Sequence, residues 1–174
     1  MKGLIGWLVT VILVLISTGF LLVTYQQAHH LVHYPIEVRA LAKRQPQDVG
    51  VQVQEVVILN PNQQKLHGYF SASQNGAYIM PQHGFKQSRS EMLDEAKILQ
   101  EAVYGILVTS VRAHDLNDGE AITFGVRESE DLHAWYRYLI NSQGVTKGKV
   151  GLLGNSMGAT MAIESAASNK GIAA

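Results

Sequence analysis

Apolar positions along this chain change their spacing twice, and each change marks a different kind of structure. Residues 3–23 carry no charge, and Leu, Ile, Val, Phe and Trp dominate them. At about 1.5 Å per residue, such a run covers roughly the 30 Å hydrocarbon core of a bilayer. From Val51 the pattern becomes alternation: Val51, Val53, Glu55 and Val57 are interleaved with Gln52, Gln54 and Val56, and Ile58-Leu59 closes the run. Period two predicts a strand. Asn60-Pro61-Asn62-Gln63-Gln64 supplies turn chemistry, and Lys65-Leu66-His67-Gly68-Tyr69-Phe70 returns as the second strand of a hairpin. Ala77-Tyr78-Ile79-Met80 reads as a short third strand bounded by Pro81.

From Ser88 the chain alternates strand and helix. Ser88-Arg89-Ser90-Glu91 matches a capping box, and Met92, Leu93, Ala96, Leu99 and Ala102 or Val103 keep helical spacing. Gly105 closes that helix, and residues 106–111 form the continuous run expected of a strand buried on both faces. Residues 112–124 read as a polar loop. A second helix is predicted from about 127 to 140, with Leu132, Trp135, Tyr136 and Leu139 on one side. A hairpin followed by repeated β–α units predicts an α/β fold, a mostly parallel sheet with helices on both faces. The domain plan is an anchor over residues 1–25, an irregular, solvated juxtamembrane linker over 26–50 and a globular part over 51–174.

Composition narrows the function. Net charge is zero with no basic block, so no nucleic-acid footprint is present. The absence of cysteine removes disulfides, a thiolate nucleophile and zinc–thiolate sites. Lys2 precedes the apolar run, which predicts the amino terminus inside the cell membrane and the domain outside. Thr24-Tyr25-Gln26-Gln27-Ala28 offers no small-x-small cleavage site, which favours an uncleaved anchor over a signal peptide. His29, His30 and His33 follow without a carboxylate and read as a polar segment rather than a metal site. No metal or organic cofactor is expected.

The chemistry concentrates in Lys149-Val150-Gly151-Leu152-Leu153-Gly154-Asn155-Ser156-Met157-Gly158. A short apolar strand runs into a G-x-S-x-G pentapeptide and then a small-residue helix predicted from Met157 to about Ser168. Such an abrupt turn strains the central serine and exposes its hydroxyl. Bulk two residues before or after it would make strand and helix collide, hence Gly154 and Gly158. The Met157 N–H, at the helix start, points where an oxyanion would form. Serine needs a base, and a group to orient that base. No Asp or His follows Ser156; Glu164 and Lys170 are the only ionisable side chains of the tail. The sequence therefore reads as the front part of a longer protein, with Lys170-Gly171 a turn into a further strand. Residues 26–174 alone are expected to be inactive and poorly soluble.

With the motifs in this order, the chain from about Val51 resembles the α/β-hydrolase superfamily, in particular bacterial membrane-anchored serine hydrolases of the prolyl-oligopeptidase-like and esterase group. The resemblance covers the hairpin, His83-Gly84-Phe85 after the third strand, the capped helix, Arg112-Ala113-His114 after the fourth strand and the elbow after the fifth. It implies an α/β-hydrolase fold truncated after the helix that follows the elbow. It implies Ser156 as nucleophile, the N–H groups of Phe85 and Met157 as oxyanion hole, and His83, Gly84, Gly154, Asn155 and Gly158 as support. The triad acid and histidine fall beyond Ala174, and residues 171–174 begin the sixth strand. Ser110-Val111-Arg112-Ala113-His114-Asp115 departs from the D-x-R-G-H-G of many relatives, and Ala159 stands where glycine is common.

Other candidates carry structural readings. His83 supports its loop by hydrogen bonding; His114 with Asp115 and Asp118 stabilises a loop rather than forming a base–acid pair or metal cluster. His133 lies on or between helices. Glu128 and Asp131 cap a helix or contact the Arg112 loop, and Trp135, Tyr136 and Tyr138 pack. The resulting function is a membrane-anchored serine hydrolase acting on a small-molecule or peptide ester, thioester or amide. The alternative is a non-catalytic membrane-anchored module that binds through the same surface.

Overall fold

The computed structural model describes residues 2–173, and the chain divides into two compact units at His33 and Tyr34. Ala174, the end of the expected sixth strand, lies outside the described residues.

The first unit is one helix, α1 (Lys2–Val32), long and apolar enough to cross a membrane. Its apolar side chains are exposed all around rather than on a stripe. Within it the hydroxyls of Thr10 and Thr24 return to carbonyls one turn back, at Gly6 and Phe20, each at 3.0 Å. The helix continues past residue 25 to Val32 because Gln26, Gln27 and Ala28 are helix formers and no proline intervenes before Pro35.

The second unit is a five-stranded sheet of order β1-β2-β4-β3-β5, with β1 (Gln54–Leu59), β2 (Lys65–Ser71), β3 (Tyr78–Gln82), β4 (Gly105–Thr109) and β5 (Val150–Gly154). β1–β2 and β2–β4 pair antiparallel, while β4–β3 and β3–β5 pair parallel, so only β2 opposes the common direction. Beside β5, Val150 bridges Ile172 in parallel, the first pairing of the strand anticipated after the last helix. The helices are α2 (Leu93–Glu101), α3 (Val126–Ser142) and α4 (Met157–Ser168).

Strand alternation sorts the core into two layers. Leu66, Phe70, Met80 and Leu107 meet Trp135 and Leu139 of α3 and Met161 of α4. Tyr69, Ile106 and Val108 meet Met92 and the α2 residues Leu93 and Ala96 on the opposite face. β4 is buried along its whole length, as its unbroken run predicted.

Three local expectations are corrected. Pro81 lies inside β3, not at its end. Alternate residues of β3 face β4, as Ala77 O does in accepting the Gly105 N–H. The position without an N–H therefore faces β4, where the ladder lacks partners for Met80 and Pro81. The capping box at Ser88 does not form: residues Arg89–Met92 make a 3-10 turn, and the Ser88 hydroxyl bonds that of Ser90 at 2.8 Å. The segment after α1 is mostly exposed, as a solvated link would be, but it is pinned rather than free. Tyr34 and Arg39 are buried, and the Arg39 guanidinium gathers the carbonyls of Tyr34, Asn117 and Gly119.

Candidate active site

β5 ends in the predicted turn. Ser156 has φ 54° and ψ −119°, a conformation few L-residues adopt, and it is exposed at the tip between β5 and α4. The flanking glycines are required by backbone contact. A Cβ at Gly154 would lie 2.2 Å from the Gly158 carbonyl oxygen, and one at Gly158 would lie 2.3 Å from the Gln82 carbonyl oxygen. The Asn155 N–H donates to the Gln82 carbonyl at 3.0 Å, and the Asn155 carbonyl receives the Gly158 N–H at 2.9 Å. The turn is thus stitched to the end of β3 and to the first turn of α4.

The loop after β3 arrives beside it. A Cβ on Gly84 would come within 3.2 Å of the Ser156 Cβ and 3.3 Å of the Asn155 carbonyl oxygen, so the bare backbone of Gly84 runs tight against the serine. The Gly84 N–H donates to Gln87 Oε1 at 2.8 Å, a contact with no sequence signature. Among the described residues, the N–H groups of Phe85 and Met157 have no protein acceptor. The structure brings His83, Gly84, Phe85, Asn155, Ser156 and Met157 together at one end of the sheet.

Two fully buried histidines fix the loops around this point. His83 Nε2 accepts the Val111 N–H at 3.0 Å, so its Nδ1–H donates to the Gly84 carbonyl at 2.9 Å. His114 Nε2 accepts the Lys86 N–H at 2.9 Å, and its Nδ1–H donates to the Arg112 carbonyl at 2.8 Å. Each ring therefore holds the other's loop, and the rings meet edge-on at 5.2 Å. Burial, with His114 adjacent, pushes the His83 pKa down to about 3; burial also lowers that of His114. Both are neutral at pH 7, with both nitrogens committed to backbone.

The carboxylates that the sequence singles out have partners. Asp131 takes a bidentate Arg112 at 2.7 and 2.8 Å plus the Asn60 amide at 2.9 Å, all buried. Glu128 caps α3 through Thr123 and Gly125. Asp115 pairs with Arg89 at 3.1 Å and accepts the Ser110 hydroxyl, and Asp118 accepts the Lys65 N–H. His133 sits between α3 and α4, near Ser165 and Ser168. Trp135 and Tyr136 are core. No group of three or more metal-ligating side chains exists among the described residues. Among the described residues seven non-glycines have positive φ, and Lys86, Ala113, Asp115, Phe124 and Ser156 lie in the segments that follow β3, β4 and β5. Strain is gathered at this end of the sheet. Surface grooves elsewhere, one lined by Ile58, Asn60, Tyr138 and Asn141, hold none of this chemistry.

This architecture recurs among solved hydrolases. The esterase Pf2001 of Pyrococcus furiosus superposes with a TM-score of 0.72 at 29% identity, over 82% of this chain and 54% of that one. The α/β hydrolase GrgF of a Penicillium species gives 0.65 at 24% identity, over 70% and 44%. A serine hydrolase homologue from Coxiella burnetii gives 0.56 at 20%, over 67% and 58%. No protein-family model matches the chain, and no curated protein matches it. The fold is that of the α/β-hydrolases, and the chain is related to that superfamily. It spans about half the length of the solved structures it matches.

Proposed function

We propose that the whole protein is a serine hydrolase in which Ser156 attacks the carbonyl carbon of an ester, thioester or amide. One observation carries the reading: an exposed serine in strained geometry between strand and helix, with two unengaged backbone N–H groups on the adjoining residues. A base takes the Ser156 proton as the Ser156 Oγ–carbon bond forms, and the oxyanion is received by the Phe85 and Met157 N–H groups. Collapse expels the alcohol, thiol or amine with that proton, and water then cleaves the acyl-enzyme. His83 and His114 are unsuited as the base, because both ring nitrogens of each hold backbone groups. The base and its acid come, in this reading, from residues outside these 174. Gly84, Gly154, Asn155 and Gly158 shape the turn, and α1 anchors the enzyme with its amino terminus inside and the hydrolase domain outside the membrane.

The test is ester hydrolysis by the whole protein against Ser156→Ala. The variant is expected to lose at least about 10³-fold in kcat with an unchanged melting temperature. Retained activity in a folded Ser156→Ala protein sinks the reading.

A further inference from the structure

The loop between β4 and α3 ends on a residue that the chemistry at Ser156 leaves unused. Phe124 has φ 53°, an outlier for a bulky side chain. Such strain persists only where the surroundings over-determine it. Here they do on both sides. Downstream, the Glu128 carboxylate takes the Thr123 N–H at 2.8 Å, the Thr123 hydroxyl at 2.5 Å and the Gly125 N–H at 2.9 Å. Gly125 has φ 123° and lies so close to α4 that a Cβ would stand 2.6 Å from Glu164 Oε2 and 3.3 Å from Thr160 Cγ2. Upstream, the Tyr34 N–H holds the Glu120 carbonyl at 2.7 Å, and Arg39 holds those of Asn117 and Gly119.

The pinned loop delivers a ring that remains 40% exposed. Its centroid lies 5.1 Å from that of Phe85, the planes tilted by 34°. Phe85 follows Gly84, which abuts Ser156, and Thr160, which faces Gly125, donates its N–H to the Ser156 carbonyl at 3.4 Å. Phe124 is therefore tied to both elements that bracket the serine. Of the carboxylates around this loop, Glu128 is engaged in the helix cap and Asp131 with Arg112, while that of Glu164 stands on the α4 side, against Gly125. Lys86 Nζ rests 5.1 Å from the Phe85 ring and 5.3 Å from the Tyr34 ring. The two phenyl rings are the apolar surface that this corner offers a ligand.

We propose that Phe124, with Phe85, forms an apolar shelf that receives an aryl or extended alkyl group attached to the scissile carbonyl, which makes Phe124 a specificity-determining residue. The proposal rests on Ser156 being the nucleophile. Its test uses the whole protein and three esters followed by acid release: ethyl acetate, ethyl hexanoate (extended acyl side) and benzyl acetate (aryl leaving side). In Phe124→Ala, kcat/KM relative to ethyl acetate is expected to fall roughly tenfold for the ester whose long group lies on the shelf, mainly through KM. Phe124→Leu restores most of it. Which of the two esters falls identifies the side of the carbonyl. An equal change for all three esters, or none, in a variant that melts like the parent overturns the proposal while leaving Ser156 in place. A protein whose hydrolysis survives Ser156→Ala overturns both.

Discussion

The turn at Ser156 and the loops beside it meet the same need, fixed backbone N–H groups, by opposite means. The turn is exposed and held by close backbone packing, with glycine at 154 and 158 because carbonyls stand where a Cβ would go. The loops after β3 and β4 are held by polar side chains, His83 accepting the Val111 N–H and His114 the Lys86 N–H, each from the other's loop. Steric fixation costs a strained φ at one serine; polar fixation needs every buried donor and acceptor paired. The first therefore tolerates no added atom, and the second tolerates no removed one.

Substitutions that add or remove one group break this contrast most cleanly. Gly158→Ala places a methyl 2.3 Å from the Gln82 carbonyl oxygen, in backbone that cannot yield cheaply. It should cost about 4 kcal/mol or more in chemical denaturation, or abolish folding. On the polar side, Arg112→Ala leaves Asp131 buried with only Asn60 as partner. A loss of about 3 kcal/mol is expected by the same assay, partly recovered in the double variant with Asp131→Asn. His114→Ala strands the buried Arg112 carbonyl and frees the Lys86 N–H, for a loss of about 2 kcal/mol.

The histidines also set a pH dependence. The folded pKa of His83 is about 3, against about 6.5 unfolded, and that of His114 is also lowered. Below pH 6.5 the unfolded chain binds protons that the folded one refuses. Stability is full above that pH and falls as pH drops toward 3, by up to about 1.4 kcal/mol per unit from His83, with His114 adding a loss in the same direction. Denaturation midpoints measured at pH 7, 6, 5 and 4 check this, and the slope should shrink in His83→Gln. The smallest effect sharpens the local correction. Glu91→Ala should change stability by less than about 0.5 kcal/mol, because no capping box forms at Ser88; a loss near 1 kcal/mol would restore the box.

What was legible follows the same division. G-x-S-x-G declares a steric need in adjacent letters, and the helix after it was placed at its observed bounds, Met157–Ser168. The clasp joins residues far apart in the chain, and nothing near His114 announces that its partner is the Lys86 N–H. Arg39 looked like linker charge because its acceptors are carbonyls, which leave no trace in side-chain identity. Pro81 reads as a strand end in the sequence because proline's cost in a ladder depends on which neighbour its missing N–H faces. Phe124 looked like a loop terminus. Only the backbone angle shows that it is held under strain.

The central claim is that Ser156 is a nucleophile delivered by this geometry. Incubating the whole protein with a fluorophosphonate probe and mapping the adduct by mass spectrometry tests it directly. The account predicts one phosphonylated residue, Ser156, with labelling abolished by Ser156→Ala and strongly slowed by His114→Ala. A folded protein that carries no adduct on Ser156, or carries it on another serine, would contradict it.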